Sequence, residues 1–482
     1  MNIFIVSHVL ETLVLAMGAS MFLPLSFAAF VGENDAFAAF LVAMFLALIV
    51  AFEMKNRPVV GLTHLSVREG IAITGLGWLV VSFLGMLPYV FGGYMNLLDA
   101  FTESVSGFSG TGATVLADVE ILPKSVLLWR SLTGWVGGLG IIVIFMAILP
   151  QTGKNGLFLF RAESSGERQL PKIHEQAKAL FAVYFILTAL CTTVYVLCGM
   201  DIFSAVNHAF TTIATSGFSL YNNGVIGYNS FALEMCMAFF MIAASLSFSL
   251  YLTAWQRGLK RIALDTQLKT YIIMLAVAMT LVFVDLATEG GMDIVSAFRR
   301  AVFHVASISS TTAYVTNDFD VWPPFAKIIL LMLMFVGGCA GSTSGGLKMS
   351  RAVLLVKSVQ AILQKKFHPQ TLPTVKMNGQ LVTDETLRGV ARYFFAYVLT
   401  DVFFALVMII DGISLGDAVA VSISTLGSIG PGFGLAGAMS TYELLPPVSK
   451  ITACFVMFLG RLEIFTVLVM FTPEFWRRKK GW

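Results

Sequence analysis

Charged residues, cysteines and histidines are all scarce in this chain of 482 residues. Only 12% of the residues are charged while 57% are hydrophobic, and the mean hydropathy is +0.83. This composition is typical of a membrane protein, because nearly every long segment is apolar enough to lie in lipid. The few cysteines lie in apolar runs without metal-ligand spacing, so they predict neither a disulfide framework nor a metal site. They are Cys191, Cys198, Cys236, Cys339 and Cys454.

Sequence motifs of nucleotide and metal chemistry are also missing. The six histidines form no HExxH pair and no cluster with cysteines and acids at ligand spacing. The sequence has no phosphate-binding P-loop and no dinucleotide fingerprint. An intramembrane enzyme would need a convergent acid–base or metal set, which these residues do not offer. We therefore expect no enzymatic activity and no cofactor held by this chain.

Hydropathy predicts an all-α integral membrane protein built from an internal repeat. Two leading spans, about 3–30 and 36–54, precede four copies of span, half-span, loop and span, since a crossing needs about 20 apolar residues. Ten full crossings result. The first segment lacks Lys or Arg at its start, so we expect a retained span rather than a cleaved signal peptide. The predicted units are two extra transmembrane helices at 1–60 and pore repeats at 68–150, 174–262, 266–366 and 386–482.

The distribution of basic residues predicts the orientation. Of the 31 Lys and Arg residues, 24 fall in the connections that share a side with the termini. That side is expected to be cytoplasmic, because cytoplasmic loops are enriched in Lys and Arg. Arg477, Arg478, Lys479 and Lys480 mark it at the end of the chain. The half-spans and their loops are then expected to face the exterior.

Four short segments interrupt the apolar runs with small hydroxyl residues and end at or near glycine. Their last positions are 105, 96 and 117 residues apart. Backbone without helical hydrogen bonds is tolerated at membrane depth only inside protein or beside a wet cavity. A ring of carbonyl oxygens that replaces the water around an ion is one use of such backbone. The segments therefore predict a cation pore with these filter positions: Gly110-Thr111-Gly112, Thr215-Ser216-Gly217, Thr311-Thr312-Ala313 and Ser428-Ile429-Gly430. The alternative is helix packing through small residues.

At these segments the chain resembles the Trk/Ktr/HKT superfamily of potassium transporters, over essentially its whole length. The two leading spans and the Arg161-Ala162-Glu163 loop resemble the bacterial TrkH type. The matching segments are Ser106-Gly107-Phe108-Ser109-Gly110-Thr111-Gly112-Ala113-Thr114, Trp129-Arg130-Ser131, Gly137-Gly138-Leu139-Gly140, Thr215-Ser216-Gly217-Phe218, Gly337-Gly338-Cys339-Ala340-Gly341-Ser342-Thr343-Ser344-Gly345-Gly346-Leu347-Lys348, Leu426-Gly427-Ser428-Ile429-Gly430-Pro431-Gly432 and Gly460-Arg461-Leu462-Glu463.

The resemblance implies a potassium uptake channel of the bacterial plasma (inner) membrane, with both termini cytoplasmic and K⁺ bound by filter backbone carbonyls. It also implies a homodimer regulated by a cytoplasmic ring that binds NAD or ATP. The basic connection 349–392 is a plausible docking face for that ring, although retention at the cytoplasmic side also requires basic loops. The alternative function is a secondary transporter that couples K⁺ to H⁺ or Na⁺. Membrane carboxylates for such coupling are few: Glu11, Glu234, Asp285 and Asp401.

The third repeat departs from the family pattern. Aligned through Tyr314 and Trp322-Pro323, the position of the family's glycine is Ala313. A left-handed alanine costs about 1–2 kcal/mol, so either this carbonyl is presented differently or the third repeat offers a weaker ion site. Strict K⁺ selectivity is the property that this substitution puts in question.

Two features below the filter predict gating. Glycines and hydroxyl residues from Gly337 to Gly346 should break a continuous span near mid-membrane. The resemblance makes this the intramembrane gate loop, and the alternative is a close helix-packing face. Arg461 lies near the centre of the last span, where a charge is usually functional or paired. It either forms an electropositive barrier below the filter or neutralises an acid such as Glu463. The predicted gate and barrier residues are Gly338, Ala340, Gly341, Ser342, Thr343, Ser344, Gly345, Gly346, Lys348 and Arg461.

Acidic residues outnumber basic ones in the predicted outer loops. They would raise the local cation concentration at the pore mouth, or simply solvate these loops. Four aspartates open the half-spans, where an acid caps a helix and complements its dipole. They are Asp99, Asp201, Asp293 and Asp417.

Overall fold

The computed structural model describes residues 3–55, 67–152, 173–370 and 374–476, and these residues are mostly helical. The predicted Arg161-Ala162-Glu163 loop and the basic cluster Arg477 to Lys480 lie outside the described residues. The helices are α1 (Ile3–Ser20), α2 (Phe22–Val31), α3 (Asn34–Lys55), α4 (Val67–Phe91), α5 (Leu97–Ser109), α6 (Lys124–Thr152), α7 (Ile173–Leu197), α8 (Ile202–Ile213), α9 (Phe231–Ser245), α10 (Phe248–Arg257), α11 (Leu259–Ile262), α12 (Thr266–Thr288), α13 (Ile294–Ser309), α14 (Pro324–Val336), α15 (Met349–Phe367), α16 (Asp384–Ile410), α17 (Leu415–Leu426), α18 (Pro447–Leu462), α19 (Ile464–Met470) and α20 (Pro473–Trp476).

One small sheet departs from an all-helical chain within the described ranges. Strands β1 (Lys376–Met377) and β2 (Gln380–Leu381) form an antiparallel hairpin in the connection between α15 and α16. Asn378 and Gly379 form its turn, both at positive φ, as tight two-residue hairpins require. The hairpin lies outside the helical bundle and leaves the membrane architecture helical.

Six of the described helices are long and apolar enough to cross a bilayer, and two bent helix pairs meet the same criterion together. The six spans are Ile5–Val31, Asn34–Lys55, Arg68–Phe91, Ala177–Leu197, Thr266–Thr288 and Asp384–Ile410. The pairs α9–α10 and α18–α19 bend by 87° and 115°. With each bent pair taken as one span, these helices give eight crossings. The ten crossings expected from hydropathy are reached when α6, with its 29 residues, and the interrupted pair α14–α15 are added.

The two leading spans pack against the first repeat rather than against a pore loop. α1 contacts α3 and α4, and α3 also contacts α4. A stripe of alanines on α3 recurs every three or four residues and is buried, which lets neighbouring helices approach closely. These residues are Ala36, Ala39, Ala43, Ala47 and Ala51. Gly18 of α1 meets this stripe, since a Cβ at Gly18 would lie 3.5 Å from the Cβ of Ala47.

Four short helices, α5, α8, α13 and α17, enter the protein centre without crossing the membrane. They have 13, 12, 16 and 12 residues, so at about 1.5 Å per residue each covers less than the roughly 30 Å hydrocarbon core. Their last turns are buried in all four cases. The carbonyl-rich ends of four helices therefore converge at the buried centre, which favours a cation there.

Side-chain caps fix where the short helices begin. The caps are Asn96, Asp201, Asp293 and Ser414. The predicted aspartate caps are thus correct for α8 and α13. They are wrong for α5 and α17, because an Asn and a Ser three residues earlier accept the N–H groups of Asp99 and Asp417 instead. An acid in the first turn still complements the helix dipole. At the exposed start of α13, hydrogen bonds from Ser296 lower the pKa of Asp293.

Candidate ion-conduction site

Each short helix ends in a loop with the same backbone conformation, two left-handed residues separated by one other. The first left-handed positions are Gly110 (φ 73°), Thr215 (53°), Thr311 (60°) and Ser428 (52°). The second are Gly112 (73°), Gly217 (69°), Ala313 (57°) and Gly430 (94°). Ala313 therefore adopts the conformation of the glycines in the other three loops. The residues between them are Thr111, Ser216, Thr312 and Ile429. Each loop thus contributes three consecutive residues, which are the predicted filter positions.

Backbone hydrogen bonds hold these loops against their own helices. In the first three loops one helix carbonyl, that of Ser106, Thr211 or Ser307, accepts the N–H groups of two consecutive loop residues. In the fourth loop the carbonyl of Ser424 accepts the N–H of Ile429 at 2.9 Å. These bonds satisfy the loop N–H groups within each repeat, so the loop carbonyls are not needed as their partners. Carbonyl oxygens in that arrangement can replace the water of a monovalent cation.

The loops contact one another in a cyclic order. A Cβ atom at Gly112 would lie 1.7 Å from the Ser216 oxygen, and one at Gly217 would lie 1.8 Å from the Thr312 oxygen. A Cβ at Gly430 would lie 2.4 Å from the Thr111 oxygen. Glycine is therefore required at three junctions by close approach as well as by positive φ. At the fourth junction Ala313 carries a real methyl group, which is buried in the same apolar cluster as Ile429.

Above the loops lies a cavity with a volume of about 180 Å³. Gly112, Gly217, Ala313, Pro431 and Arg130 contribute to its lining, and no carboxylate is among the described residues that line it. Two of the acids in the predicted outer loops contact the cavity indirectly, through one lining residue. Both Asp118 and Glu120 bond to Asn222 of the lining, and the hydrogen bond from Asn222 lowers the pKa of Asp118.

A buried ion pair at the wall of the cavity joins the first two loops, and its arginine is one of the lining residues. Arg130 Nε lies 2.7 Å from Glu103 Oε1, and both side chains are almost completely buried. Arg130 also donates to the Ser219 carbonyl and stacks over Phe218 at 4.2 Å. Sequence reasoning did not connect the two charges. The available signal was that each charge lies beyond the first turn of its helix, among uncharged buried residues, where a charge usually requires a partner.

The outermost carbonyl of the fourth loop differs from its equivalents. Gly430 O accepts hydrogen bonds from Ser424 Oγ at 2.6 Å and from Tyr442 Oη at 2.7 Å. Within the described ranges, no hydrogen bond occupies the carbonyls of Gly112, Gly217 or Ala313. The carbonyls of Gly112, Gly217 and Ala313 are thus available to an ion, while both lone pairs of the Gly430 carbonyl accept hydrogen bonds.

The predicted gate run interrupts a span and touches the filter from below. α14 ends at Val336 and α15 begins at Met349, so the expected helix break is confirmed. The Gly345 N–H donates to Thr311 Oγ1 at 2.8 Å, and Thr343 Oγ1 donates to the Ile213 carbonyl at 3.0 Å. A Cβ at Gly345 would lie 2.0 Å from the Gly427 oxygen. The run therefore lies against the bases of the second, third and fourth loops.

Internal contacts shape the rest of this run. Gly338 and Gly346 are buried, whereas Ala340, Gly341 and Ser342 form its partly exposed tip. Ser342 Oγ donates to the Cys339 carbonyl at 2.6 Å and lies 2.7 Å from Ser344 Oγ. Gly341 and Gly346 both have φ of 79°.

Two cations bind carbonyls of the run. Arg461 donates to the Thr343 carbonyl at 3.0 Å and, from its other nitrogen, to the Gly137 carbonyl at 2.6 Å. Lys348 Nζ donates to the Ser344 carbonyl. Arg461 thus links the run to α6 through main-chain oxygens.

Glu463, the acid named above as a partner for Arg461, pairs with another arginine, and both roles of Arg461 stay predictions. Glu463 pairs with Arg351, whose guanidinium also lies 3.9 Å from the ring centre of Tyr393. Glu463 occupies the bend between α18 and α19 with φ of 64°, and Lys348 precedes α15 with φ of 76°. Non-glycine residues at such backbone angles are strained. One of the two strained residues, Glu463, belongs to the ion pair, and the other, Lys348, lies three residues before Arg351.

The four membrane carboxylates considered for ion coupling have different surroundings. Glu11 lies 3.1 Å from His8, Glu234 pairs with Arg299, and Asp285 accepts the Ala326 N–H at 2.9 Å. Asp401 is different, because its buried Oδ1 has no hydrogen-bond partner among the described residues. In the part of the chain described, no three His, Cys, Asp or Glu side chains converge as ligands for a metal ion.

Comparison with known proteins agrees with this architecture. Residues 36–478 match the model of the TrkH family, described as cation transport protein. The chain is 35% identical over 486 residues to the Trk system potassium uptake protein TrkH of Escherichia coli K12, covering 98% of this chain and 99% of that protein. It is 36% identical over 422 residues to the TrkH of Halomonas elongata, covering 86% and 87%.

A solved structure extends the match to three dimensions. The crystal structure of the potassium transporter TrkH from Vibrio parahaemolyticus aligns with a TM-score of 0.89 and 31% identity, covering 99% of this chain and 100% of that one. The fold is thus an all-α integral membrane fold with four pseudo-repeats, and the family is one of transporters rather than enzymes. This multi-pass membrane chain belongs to the TrkH family of cation transport proteins.

Proposed function

We propose that this protein is a potassium uptake channel in which K⁺ moves passively through one pore formed by the four loops. The observation that carries the proposal is the repeated left-handed backbone of the loops, with each loop in contact with the next. The relatives in Escherichia coli and Halomonas elongata bear the name potassium uptake protein. Shared membership of a cation transport family supports the same cargo here.

The ion ligands in this proposal are backbone carbonyls of the four filter loops, except the Gly430 carbonyl, whose two lone pairs accept hydrogen bonds from Ser424 and Tyr442. The carbonyl oxygens bring no full negative charge, so they compensate a dehydrated monovalent cation without trapping it. The converging C-terminal ends of four helices add a negative potential at the same place. K⁺ is the permeant ion, and no cofactor is needed in this chain.

Selectivity for K⁺ over Na⁺ is proposed to be incomplete because of Ala313. In this proposal its methyl group lies at the junction between the third and fourth loops, whereas the other three junctions have room only for a glycine hydrogen. A wider junction would hold the carbonyls less firmly around the larger ion. Appreciable Na⁺ permeation in the wild-type protein is the expected consequence.

Gating is proposed to depend on the run from Gly338 to Lys348. In the closed state the run blocks the path below the filter, supported there by its bonds to Thr311 and Ile213. Arg461 adds a positive charge below the filter and holds the run through the Thr343 carbonyl. Opening then requires the run to leave these carbonyls and hydroxyls.

The proposed setting is the bacterial plasma (inner) membrane, with both termini in the cytoplasm. The Trk system name of the relatives supports further components, and we assign to them a cytoplasmic ring that binds NAD or ATP and docks on a homodimer of this chain. The basic connection 349–392 would carry its docking face. α15 begins this connection directly after the gate run, so docking would act on the gate through one helix.

A coupled H⁺ or Na⁺ transporter is the second candidate, and Asp401 is the observation in its favour. Its buried Oδ1 has no hydrogen-bond partner among the described residues, and an unpaired polar atom in an apolar setting is costly unless it has a function. Asp401 lies on α16, while the filter loops follow the short helices. The Asp401 carbonyl accepts a hydrogen bond from Ser422 Oγ on the fourth short helix at 3.0 Å, but no carboxylate among the described residues lines the cavity beside the loops, which favours the passive channel.

Purified protein in liposomes distinguishes the two functions. A passive pore gives a reversal potential that follows the K⁺ gradient, together with the Na⁺ gradient to the extent that Na⁺ permeates, and that is independent of pH. A reversal potential that shifts with the pH gradient, or K⁺ accumulation against its own electrochemical gradient driven by a H⁺ or Na⁺ gradient, would contradict the passive channel. Wild-type protein that passes no monovalent cation under any gradient would contradict both candidates.

A further inference from the structure

Two cysteines from different helices meet in the second repeat. Cys198 directly follows the end of α7, and Cys236 lies in the second turn of α9. Their sulfur atoms are 3.7 Å apart, and both residues are partly exposed. The other three cysteines, Cys191, Cys339 and Cys454, are buried.

The side of the membrane on which this cysteine pair lies decides whether a disulfide between the two can persist. α7 ends where the chain turns toward the short helix α8, so Cys198 and Cys236 lie on the face from which the short helices enter. In the proposed orientation this face is the exterior. Disulfides persist in such oxidising compartments and are rare in the cytoplasm. A disulfide needs about 2.05 Å between the sulfurs, so the thiols have to approach by about 1.6 Å.

We propose that Cys198 and Cys236 form an intramolecular disulfide on the outer face. The oxidant is a protein disulfide of the outer compartment, which exchanges with the dithiol. One Cys thiolate attacks that disulfide, a mixed disulfide forms, and the second Cys thiolate displaces the reduced protein thiol. Two thiols of this chain and one disulfide become one disulfide of this chain and two thiols, so two electrons pass to the oxidant.

The bond would close a segment that contains one quarter of the filter. Cys198 and Cys236 are 38 positions apart, and the segment between them includes α8 and Thr215-Ser216-Gly217. A cross-link restricts the unfolded segment more than the folded one. The disulfide would therefore stabilise the second loop against local unfolding without touching an ion ligand.

Thiol counting on the full-length protein tests the proposal. Membranes from expressing cells are treated with N-ethylmaleimide under denaturing conditions, and the modified cysteines are identified by mass spectrometry. We expect three modified cysteines in the wild type, and five if a reductant is added first. Cys198→Ser and Cys236→Ser are expected to show four modified cysteines without reductant, because each frees the other partner.

Several results would overturn the inference. Five modified cysteines in unreduced wild type would show that both thiols are free. A dimer on non-reducing gels that disappears in Cys198→Ser would assign the bond to two subunits instead. The inference rests on the proposed orientation, which a membrane-impermeant maleimide tests after reduction, since labelling of Cys198 only from the cytoplasmic side would contradict it. Transport is not measured in these experiments, so failure of the channel proposal would appear separately, as absent cation flux.

Discussion

The Gly345 N–H donates a 2.8 Å hydrogen bond to Thr311 Oγ1. Thr311 is the first left-handed residue of the third filter loop, and Gly345 belongs to the run that interrupts the span below it. In the proposed function, one threonine therefore contributes its backbone to the filter and its hydroxyl to the support of the gate run. Movement of the run changes the support of the third loop, so filter and gate are expected to influence one another.

Close approach between loops, more than positive φ, should decide which glycines are essential. Gly112 and Gly93 have φ of 73° and 70°, but a Cβ at Gly112 meets the Ser216 oxygen at 1.7 Å while a Cβ at Gly93 meets nothing within 4 Å. Both alanine variants carry about 1–2 kcal/mol of backbone strain. Gly112→Ala should lower K⁺ uptake by about tenfold or more, and Gly93→Ala should resemble wild type. Uptake is measured in a bacterium deficient in potassium uptake, with the membrane content of each variant checked by blotting. Equal uptake by the two variants would contradict the contact between loops.

Restoring glycine in the third loop should improve selectivity. Ala313 holds a left-handed φ of 57°, so Ala313→Gly relieves about 1–2 kcal/mol of backbone strain, which is roughly five- to thirtyfold in relative ion affinity if all of it enters ion binding. The Na⁺ to K⁺ permeability ratio should fall. Ala214→Gly is the matched control, because Ala214 lies at the base of the second loop with an ordinary φ of −74°. Bi-ionic reversal potentials measure the ratio, and a wild type that already excludes Na⁺, with no change in Ala313→Gly, would refute the argument.

The hydroxyl of Tyr442 should also tune selectivity. Tyr442→Phe removes one of the two hydrogen bonds at Gly430 O and frees a lone pair toward the pore. The relative permeability of K⁺, Rb⁺ and Na⁺ should change while the amount of folded protein does not. Tyr397→Phe provides the control, since the buried Tyr397 Oη has no hydrogen-bond partner in the described part of the chain. Identical permeability ratios in Tyr442→Phe and wild type would mean that the Gly430 carbonyl does not take part.

Removing the gate run should raise basal flux. Deletion of Ala340 to Gly345 eliminates the bonds to Thr311 and Ile213, so K⁺ flux without a regulator should increase. Thr343→Val keeps the side-chain shape, loses one of these bonds and should give a smaller increase. Fluxes are compared in liposomes after size-exclusion chromatography of each protein. Unchanged or lower flux from a well-folded deletion variant would favour a packing role for the run.

Two substitutions separate the charge of Arg461 from its hydrogen bonds. Arg461→Gln removes the positive charge and should raise conductance if the charge is a barrier in a low-dielectric path. Arg461→Lys keeps the charge but cannot bridge the Thr343 and Gly137 carbonyls, so it should mainly raise open probability. Single-channel recordings give both quantities. Intact protein with wild-type conductance and open probability in both variants would contradict both roles.

The sequence predicts the parts of this architecture that depend on local pattern. Helices too short to cross, glycines at left-handed positions and the break after Val336 all follow from residue type and spacing. Local pattern also misleads where two neighbours compete, as at α5 and α17, where Asn96 and Ser414 take the cap expected from Asp99 and Asp417.

Contacts between distant elements are not predicted in this way. Glu103 and Arg130 each appear as isolated charges in the sequence, and only packing of α5 on α6 brings them together. The same holds for Arg351 with Glu463 and for Cys198 with Cys236, pairs separated by 112 and 38 positions. Hydrophobic periodicity carries no information about which residues meet across helices.

The cyclic contact of four loops within one polypeptide also affects how such a pore can change over time. A ring of identical subunits receives every substitution four times, so a change that harms one loop harms all of them. In this chain a mutation alters only one of the four loops, as Ala313 illustrates, while the other three loops keep the original geometry. Because helix-end hydrogen bonds fix the backbone of each loop, individual positions are free to diverge. Ion preference can therefore be adjusted in small steps, by changes to one loop at a time, without loss of the pore.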